Sequence, residues 1–265
     1  MTLGIIGGCG PLVGAHFLQT LFSMTEAAGD CDYPDLLLTS LSSTPDRTAH
    51  ILDPLAPDPT PALLAAARTL VRGGADLLLL LCHTAHAYLP TLRAALSVPV
   101  LDLVSIGVSF AFRAGVRRLG VLSSEGSVKA GVFEMAAAPF GIEILYPRAA
   151  CRAALSDLIY RRLKSGEDAG EGGALFTASD ELRAAGADAL LLGCTELSLP
   201  AAAPSEPLAL PVIDPLVLLA HRALSLCGKK IKEAYRYDAA WRPALVPLSR
   251  AFAFAPVGGD NRAFL

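Results

Sequence analysis

Two stretches of this chain repeat one another at a fixed distance, and that repeat limits the folds open to it. "GGADLLLLLC" at 73–82 is answered by "AGADALLLGC" at 185–194, and "SVPVLD" at 97–102 by "ALPVID" at 209–214. Cys82 and Cys194, Pro99 and Pro211, and Asp102 and Asp214 each stand 112 residues apart. A constant offset over three landmarks marks an internal duplication. Within it, the short apolar runs "TLGIIGG", "DLLLTSL", "ADLLLLLC", "VPVLDLV", "RLGVLSS", "IEILYP", "ADALLLGC" and "LPVIDP" alternate with helical patterns such as "PALLAAARTLVRGG" and "ASDELRAAG". Helices that lead through glycine into buried strands are the βαβ units of a parallel sheet. The expected fold is α/β with two pseudosymmetric lobes. Each lobe is a mainly parallel four-stranded sheet flanked by helices, with the active site in the cleft between them. The lobes are expected at 1–110 and 111–225, with "LVLLAHRAL" contributing to the packing between them. A C-terminal helix or docked tail at 226–265 lies outside the repeat.

Composition removes several classes of function. At 53% hydrophobic and 18% charged residues the chain is not a disordered one. The net charge is −3, and "GKKIKEAYRYD" is the only basic cluster that stands out, so nucleic acid is not an expected partner. No apolar run is long enough to span a bilayer, and glycine-rich sequence from Gly4 replaces a signal peptide. Six cysteines are too sparse for a disulfide scaffold, which points to free thiols in a reducing cytoplasm.

The repeat places Cys82 and Cys194 at the carboxyl ends of equivalent strands. Ligands of open α/β sheets bind beyond those ends. Two facing lobes therefore present two thiols across one cleft. That pair can take a proton from one face of a carbon and return one to the other, inverting a stereocentre without a redox cofactor. A free thiol has a pKa of about 8.5, so the site must hold one thiolate and one thiol. It must also stabilise a carbanion-like transition state. Thr84 and Thr195 follow the cysteines, where turn amides and hydroxyls can donate. A buried structural cysteine is the ordinary alternative for either thiol alone; the matched positions favour the paired reading.

"CHTAH" also raises a zinc site and a cysteine–histidine nucleophile, with His86 depressing the thiol pKa. The equivalent "GCTEL" has no histidine, so no metal is expected. His86 is equally readable as a packed helix residue. Gly4, Gly8 and Gly10 follow a strand as in some nucleotide-binding loops. The second strand, however, ends in "LTSLSSTPDR" without an acidic ribose ligand, and the glycines suit close approach to a small anion.

Together "GIIGGCGP", "STPDRTAHIL", "CHTAH", "LKSG", "GCTEL" and "PVIDP" resemble the cofactor-independent aspartate/glutamate racemase superfamily, in particular its aspartate racemase branch. The resemblance implies a homodimer that acts on a small acidic amino acid, with no cofactor. It implies Cys82 and Cys194 as the acid/base pair and Arg47 as a carboxylate ligand. It sets Lys164 against the substrate's side-chain carboxylate. Gly8, Gly10, Thr84 and Thr195 would orient the substrate. His83 stands where the family usually has asparagine, and Cys9 where methionine is common. Rival readings are a hydantoin racemase, a maleate isomerase, a one-cysteine decarboxylase, or an anion-binding module without turnover.

Overall fold

The computed structural model describes residues 1–167, 173–201 and 208–235. The eight apolar runs form eight strands: β1 (Leu3–Gly7), β2 (Leu36–Ser40), β3 (Leu77–Leu80), β4 (Val100–Leu101), β5 (Arg118–Leu122), β6 (Glu143–Leu145), β7 (Ala189–Leu192) and β8 (Val212–Ile213). They make two all-parallel sheets of the same order, β2-β1-β3-β4 and β6-β5-β7-β8. The first lobe carries α1 (Pro11–Met24), α2 (Arg47–Leu52), α3 (Thr60–Arg72), α4 (Leu89–Ala95) and α5 (Leu103–Arg113). The second carries α6 (Glu125–Ala130), α7 (Val132–Ala137), α8 (Ala149–Asp157), α9 (Gly173–Ala184), α10 (Ser198–Ala201) and α11 (Pro215–Leu226).

The last strand of each sheet is shorter than its apolar run. In both lobes an aspartate cuts it off: Asp102 accepts from the Ser105 amide at 2.9 Å, and Asp214 from the Leu216 amide at 2.9 Å. Each carboxylate caps the following helix, so "LV" after Asp102 and "P" after Asp214 enter helices instead of extending strands. The loops into β3 and β7 turn at Gly74 and Gly186, with φ of 95° and 83°, as the repeat suggested.

Strand alternation decides what each leucine buries against. Leu77, Leu79 and Leu81 join Leu3, Ile5, Leu119, Val121, Ala189 and Leu191 in one core that lies between the sheets. Leu78, Leu80 and Cys82 face the opposite way, into a cluster under α3. Leu190, Leu192 and Cys194 do the same in the second lobe. The two cysteines are therefore in phase, each on the outward face of its own sheet. Helix α11 packs on α1 and α5, and α5 packs on α7, so the helices after the two short strands tie the lobes together.

Past α11 the chain pairs with the end of α1: Ile231 bridges Thr25, and Lys232 N–H donates to Met24 O at 2.9 Å. A 3₁₀ turn follows at Glu233–Tyr235. Most of the tail expected at 226–265 lies outside the described residues. No helix among the described residues is long and apolar enough to cross a membrane.

Candidate active site

The carboxyl ends of both sheets meet at a small cavity. Cys9, Arg47, Cys82, His83, Thr84, Lys164, Cys194 and Thr195, all named from the sequence, line it. Gly8 and Gly10 are not among its lining residues. Gly8 has a φ of +86° and packs on the Leu41 backbone, while a Cβ on Gly10 would lie 2.7 Å from Glu196 Oε1. Four lining residues were not anticipated: Thr48, Ser124, Tyr160 and Glu196.

Cys82 is followed by a 3₁₀ turn, Thr84–Tyr88, rather than directly by an α-helix. That turn still aims an amide at the sulfur, since Ala85 N–H hydrogen-bonds Cys82. Thr84 Oγ1 lies 2.9 Å from both Ser124 Oγ and Ser127 Oγ, which joins the lobes through hydroxyls. His86 faces away from the thiol. The Leu103 amide donates to its Nε2 at 2.9 Å, which leaves Nδ1–H to donate to the Cys82 carbonyl at 2.8 Å. His86 thus pins the cysteine's backbone to the start of α5. His83 is 2% exposed, and neither ring nitrogen has a hydrogen-bond partner among the described residues. Burial pushes its pKa well below the ordinary histidine range, so it faces the cavity as a neutral ring.

Arg47 opens α2 just after Asp46, which caps that helix through the Ala49 amide at 2.8 Å. Its guanidinium is buried and donates to the carbonyls of Cys9 at 3.0 Å, Pro45 at 3.1 Å and Thr44 at 3.4 Å. Its Nε has no partner among the described residues. Burial opposes the charge, but the neighbouring Cys82 sulfur and the Asp46 carboxylate favour it, and the guanidinium stays protonated. Lys164 arrives by an unusual route. After α8 the chain widens into a π turn at Leu158–Arg162 and then tightens into a 3₁₀ turn at Leu163–Ser165, a rewinding often found at functional sites. Tyr160 and Lys164 reach the cavity from these turns, with the ammonium 4.1 Å from the tyrosine ring centre. Lys164 Nζ is also 3.6 Å from Asp46 Oδ2 and 3.9 Å from Glu196 Oε1.

The two cysteines differ in charge preference. The Cys9 thiol hydrogen-bonds Cys82 and draws its pKa well below the ordinary cysteine range; Arg47 and Lys164 act in the same direction against burial. The proton of that pair stays on Cys9, whose own pKa is pushed up by the same contact and by burial. Cys194 goes the other way: burial and the adjacent Glu196 raise its pKa. The two sulfurs that line the cavity are thus biased in opposite directions, Cys82 toward the thiolate and Cys194 toward the thiol.

A family profile described as Asp/Glu/Hydantoin racemase matches residues 6–223. The chain belongs to that family. Among its relatives, the broad specificity amino-acid racemase RacX of Bacillus subtilis is 26% identical over 148 residues, 54% of this chain and 63% of RacX. A glutamate racemase of Corynebacterium diphtheriae is 35% identical over 141 residues, 51% of each chain. The chain thus matches less than two-thirds of the length of either relative. An aspartate racemase structure from Picrophilus torridus superposes with a TM-score of 0.75 at 24% identity, covering 88% of this chain and 96% of that one. A glutamate racemase structure from Francisella tularensis gives 0.58 at 18% identity, covering 86% and 81%. These likenesses establish the two-sheet family fold.

Proposed function

We propose that the protein racemises an acidic amino acid, aspartate first and glutamate second, by two-thiol proton transfer at Cα and without a cofactor. The observation that carries this reading is the pair of repeat-related cysteines, biased to opposite protonation states in one cavity. In one direction the Cys82 thiolate takes the Cα proton and the Cys194 thiol supplies one to the opposite face. In the other direction the roles exchange. Arg47 lines the cavity with its Nε unpartnered, and in this reading it donates to the substrate carboxylate and offsets the negative charge added in the carbanionic transition state. Neutral His83 offers a ring nitrogen to a polar substrate group.

A second reading, a broader substrate range, is supported by Lys164. Its charge is already shared between Asp46 and Glu196, so a substrate's side-chain carboxylate would have to compete for it. RacX, one of the relatives, carries a broad-specificity name.

Proton NMR of each amino acid with reduced enzyme in D₂O, followed by chiral analysis, tests both. Loss of the Cα proton signal and appearance of the opposite enantiomer are expected with aspartate, and Cys82→Ala and Cys194→Ala should each abolish racemisation. Lys164→Ala separates the readings. A rise in KM for aspartate alone supports the acidic substrate, and an equal effect on a neutral amino acid supports the broader range. No Cα exchange with any amino acid would remove the racemase proposal.

A further inference from the structure

We infer that Glu196 stores the proton that Cys194 releases when it acts as a base, so that the two side chains form one proton-sharing pair on their side of the cleft. The inference rests on the racemase reading of Cys194 and assigns a role to a residue outside that reading. Cys194 Sγ donates to Glu196 Oε2 at 3.1 Å, and Thr195 Oγ1 donates to the same oxygen at 3.2 Å. The carboxylate is 3% exposed, and its Oε1 has no hydrogen-bond partner among the described residues. The Gly10 backbone closes one side of Oε1, and Lys164 Nζ stands off at 3.9 Å. A buried carboxylate with an unbonded oxygen is an expensive group, and accepting a proton removes that cost.

The other cysteine shows why such a device is required on this side alone. The Cys82 pKa is drawn down by a donor thiol, cations and a backbone amide: Cys9, Arg47, Lys164 and Ala85 N–H. By the 112-residue offset, Glu196 falls opposite Thr84, whose hydroxyl is occupied by Ser124 and Ser127. Cys194 thus has a carboxylate where Cys82 has a hydroxyl. A thiolate beside an ionised Glu196 would set two negative charges in contact. Moving the proton from sulfur to Oε2 makes the same thiolate while leaving the charge of the pair unchanged.

The protons balance over a turnover. From Cys82–SH, Cys194–SH and Glu196–COO⁻, the Cys194 proton passes to Oε2 and the new thiolate takes the Cα proton. Cys82 then protonates the opposite face. The products are Cys82–S⁻, Cys194–SH and Glu196–COOH: one proton has left the substrate, one has entered it, and the total on the three groups is unchanged. In the reverse direction Cys82–S⁻ takes the Cα proton, Cys194 gives up its own, and Glu196 refills it.

The test compares full-length wild type, Glu196→Gln and Glu196→Asp by two readouts. The first is the ultraviolet thiolate titration of Cys194, taken as the difference from the same protein carrying Cys194→Ala. The second is kcat and KM. In Glu196→Gln the negative neighbour is gone, so Cys194 is expected to ionise at lower pH, yet kcat should fall by about 10²-fold with little change in KM, because the proton acceptor is gone too. Glu196→Asp should recover part of kcat. An unchanged Cys194 titration overturns the pairing. A kcat that holds or rises as the thiol ionises more easily overturns the proton-storing role, because the carboxylate would then be only an obstacle. If Glu196→Gln does not fold, Glu196→Asp decides alone: a shifted titration with reduced kcat supports the inference, and two unchanged values overturn it. If wild type exchanges no Cα proton, the racemase reading fails by itself, and the titration shift or its absence still decides the pairing.

Discussion

At the scale of single residues, the cleft is a set of unequal neighbours around two equal thiols. Cys9 lowers the Cys82 pKa through its hydrogen bond, so Cys9→Ala should raise it. The expected outcome is slower alkylation of Cys82 near neutral pH and an acid limb of kcat/KM moved to higher pH. Glu196 bears on stability with the opposite sign from most carboxylates. Burial raises its pKa in the folded state, so the folded chain holds this proton more tightly than the unfolded one. That contribution is complete below the unfolded carboxylate pKa of about 4.3 and is lost as pH rises through the folded value. At neutral pH, Glu196→Gln should therefore unfold at a higher temperature than wild type, which a thermal scan reads. Most of the candidate site's residues were legible in the sequence: the two cysteines from the repeat, and Arg47 and Lys164 from the resemblance of "PDR" and "LKSG" to family motifs. Glu196 lies within "GCTEL" but has no acidic counterpart in the first repeat. Its signal is a carboxylate two residues past a cysteine where the other repeat has Thr84, a difference between the repeats rather than a shared feature.

At the scale of elements, all eight strands were readable because four to eight apolar residues bounded by glycine or a capping aspartate have few other fates. Their ends were not, since a side-chain cap such as Asp102 costs one residue of sequence and moves a boundary by several. The segment after α8 was the least legible. A π turn has no periodicity of its own, and no motif in the sequence marks Tyr160. The loop after β1 is the most demanding on backbone geometry. Gly8 combines a φ of +86° with contact against Leu41. Gly8→Ala should cost at least about 2 kcal/mol, read as a lower denaturant midpoint, and should reduce activity by displacing Cys9.

At the scale of the whole molecule, the lobes are related by duplication and are not packed as separate bodies. The largest core draws on both sheets and on the helices α1, α5, α7 and α11. Around the cavity the approach is equally close: a Cβ on Gly126 of α6 would lie 2.8 Å from Thr48 Cα of α2. Gly126→Ala should therefore wedge α6 from α2 and lower kcat/KM with the cysteines untouched, a change that small-angle scattering and kinetics can follow together. Helices α1, α5, α7 and α11 pack across the lobes. Chains with a common core melt together, so calorimetry should record a single transition with equal calorimetric and van't Hoff enthalpies. A protein built this way cannot admit its ligand by swinging one half away from the other without breaking the packing that folds both. The turns at Leu158–Ser165, which carry Tyr160 and Lys164 to the cavity, depart from α-helical hydrogen-bond spacing. Amide exchange there should slow when an unreactive dicarboxylate fills the cavity, while the shared core stays as protected as before.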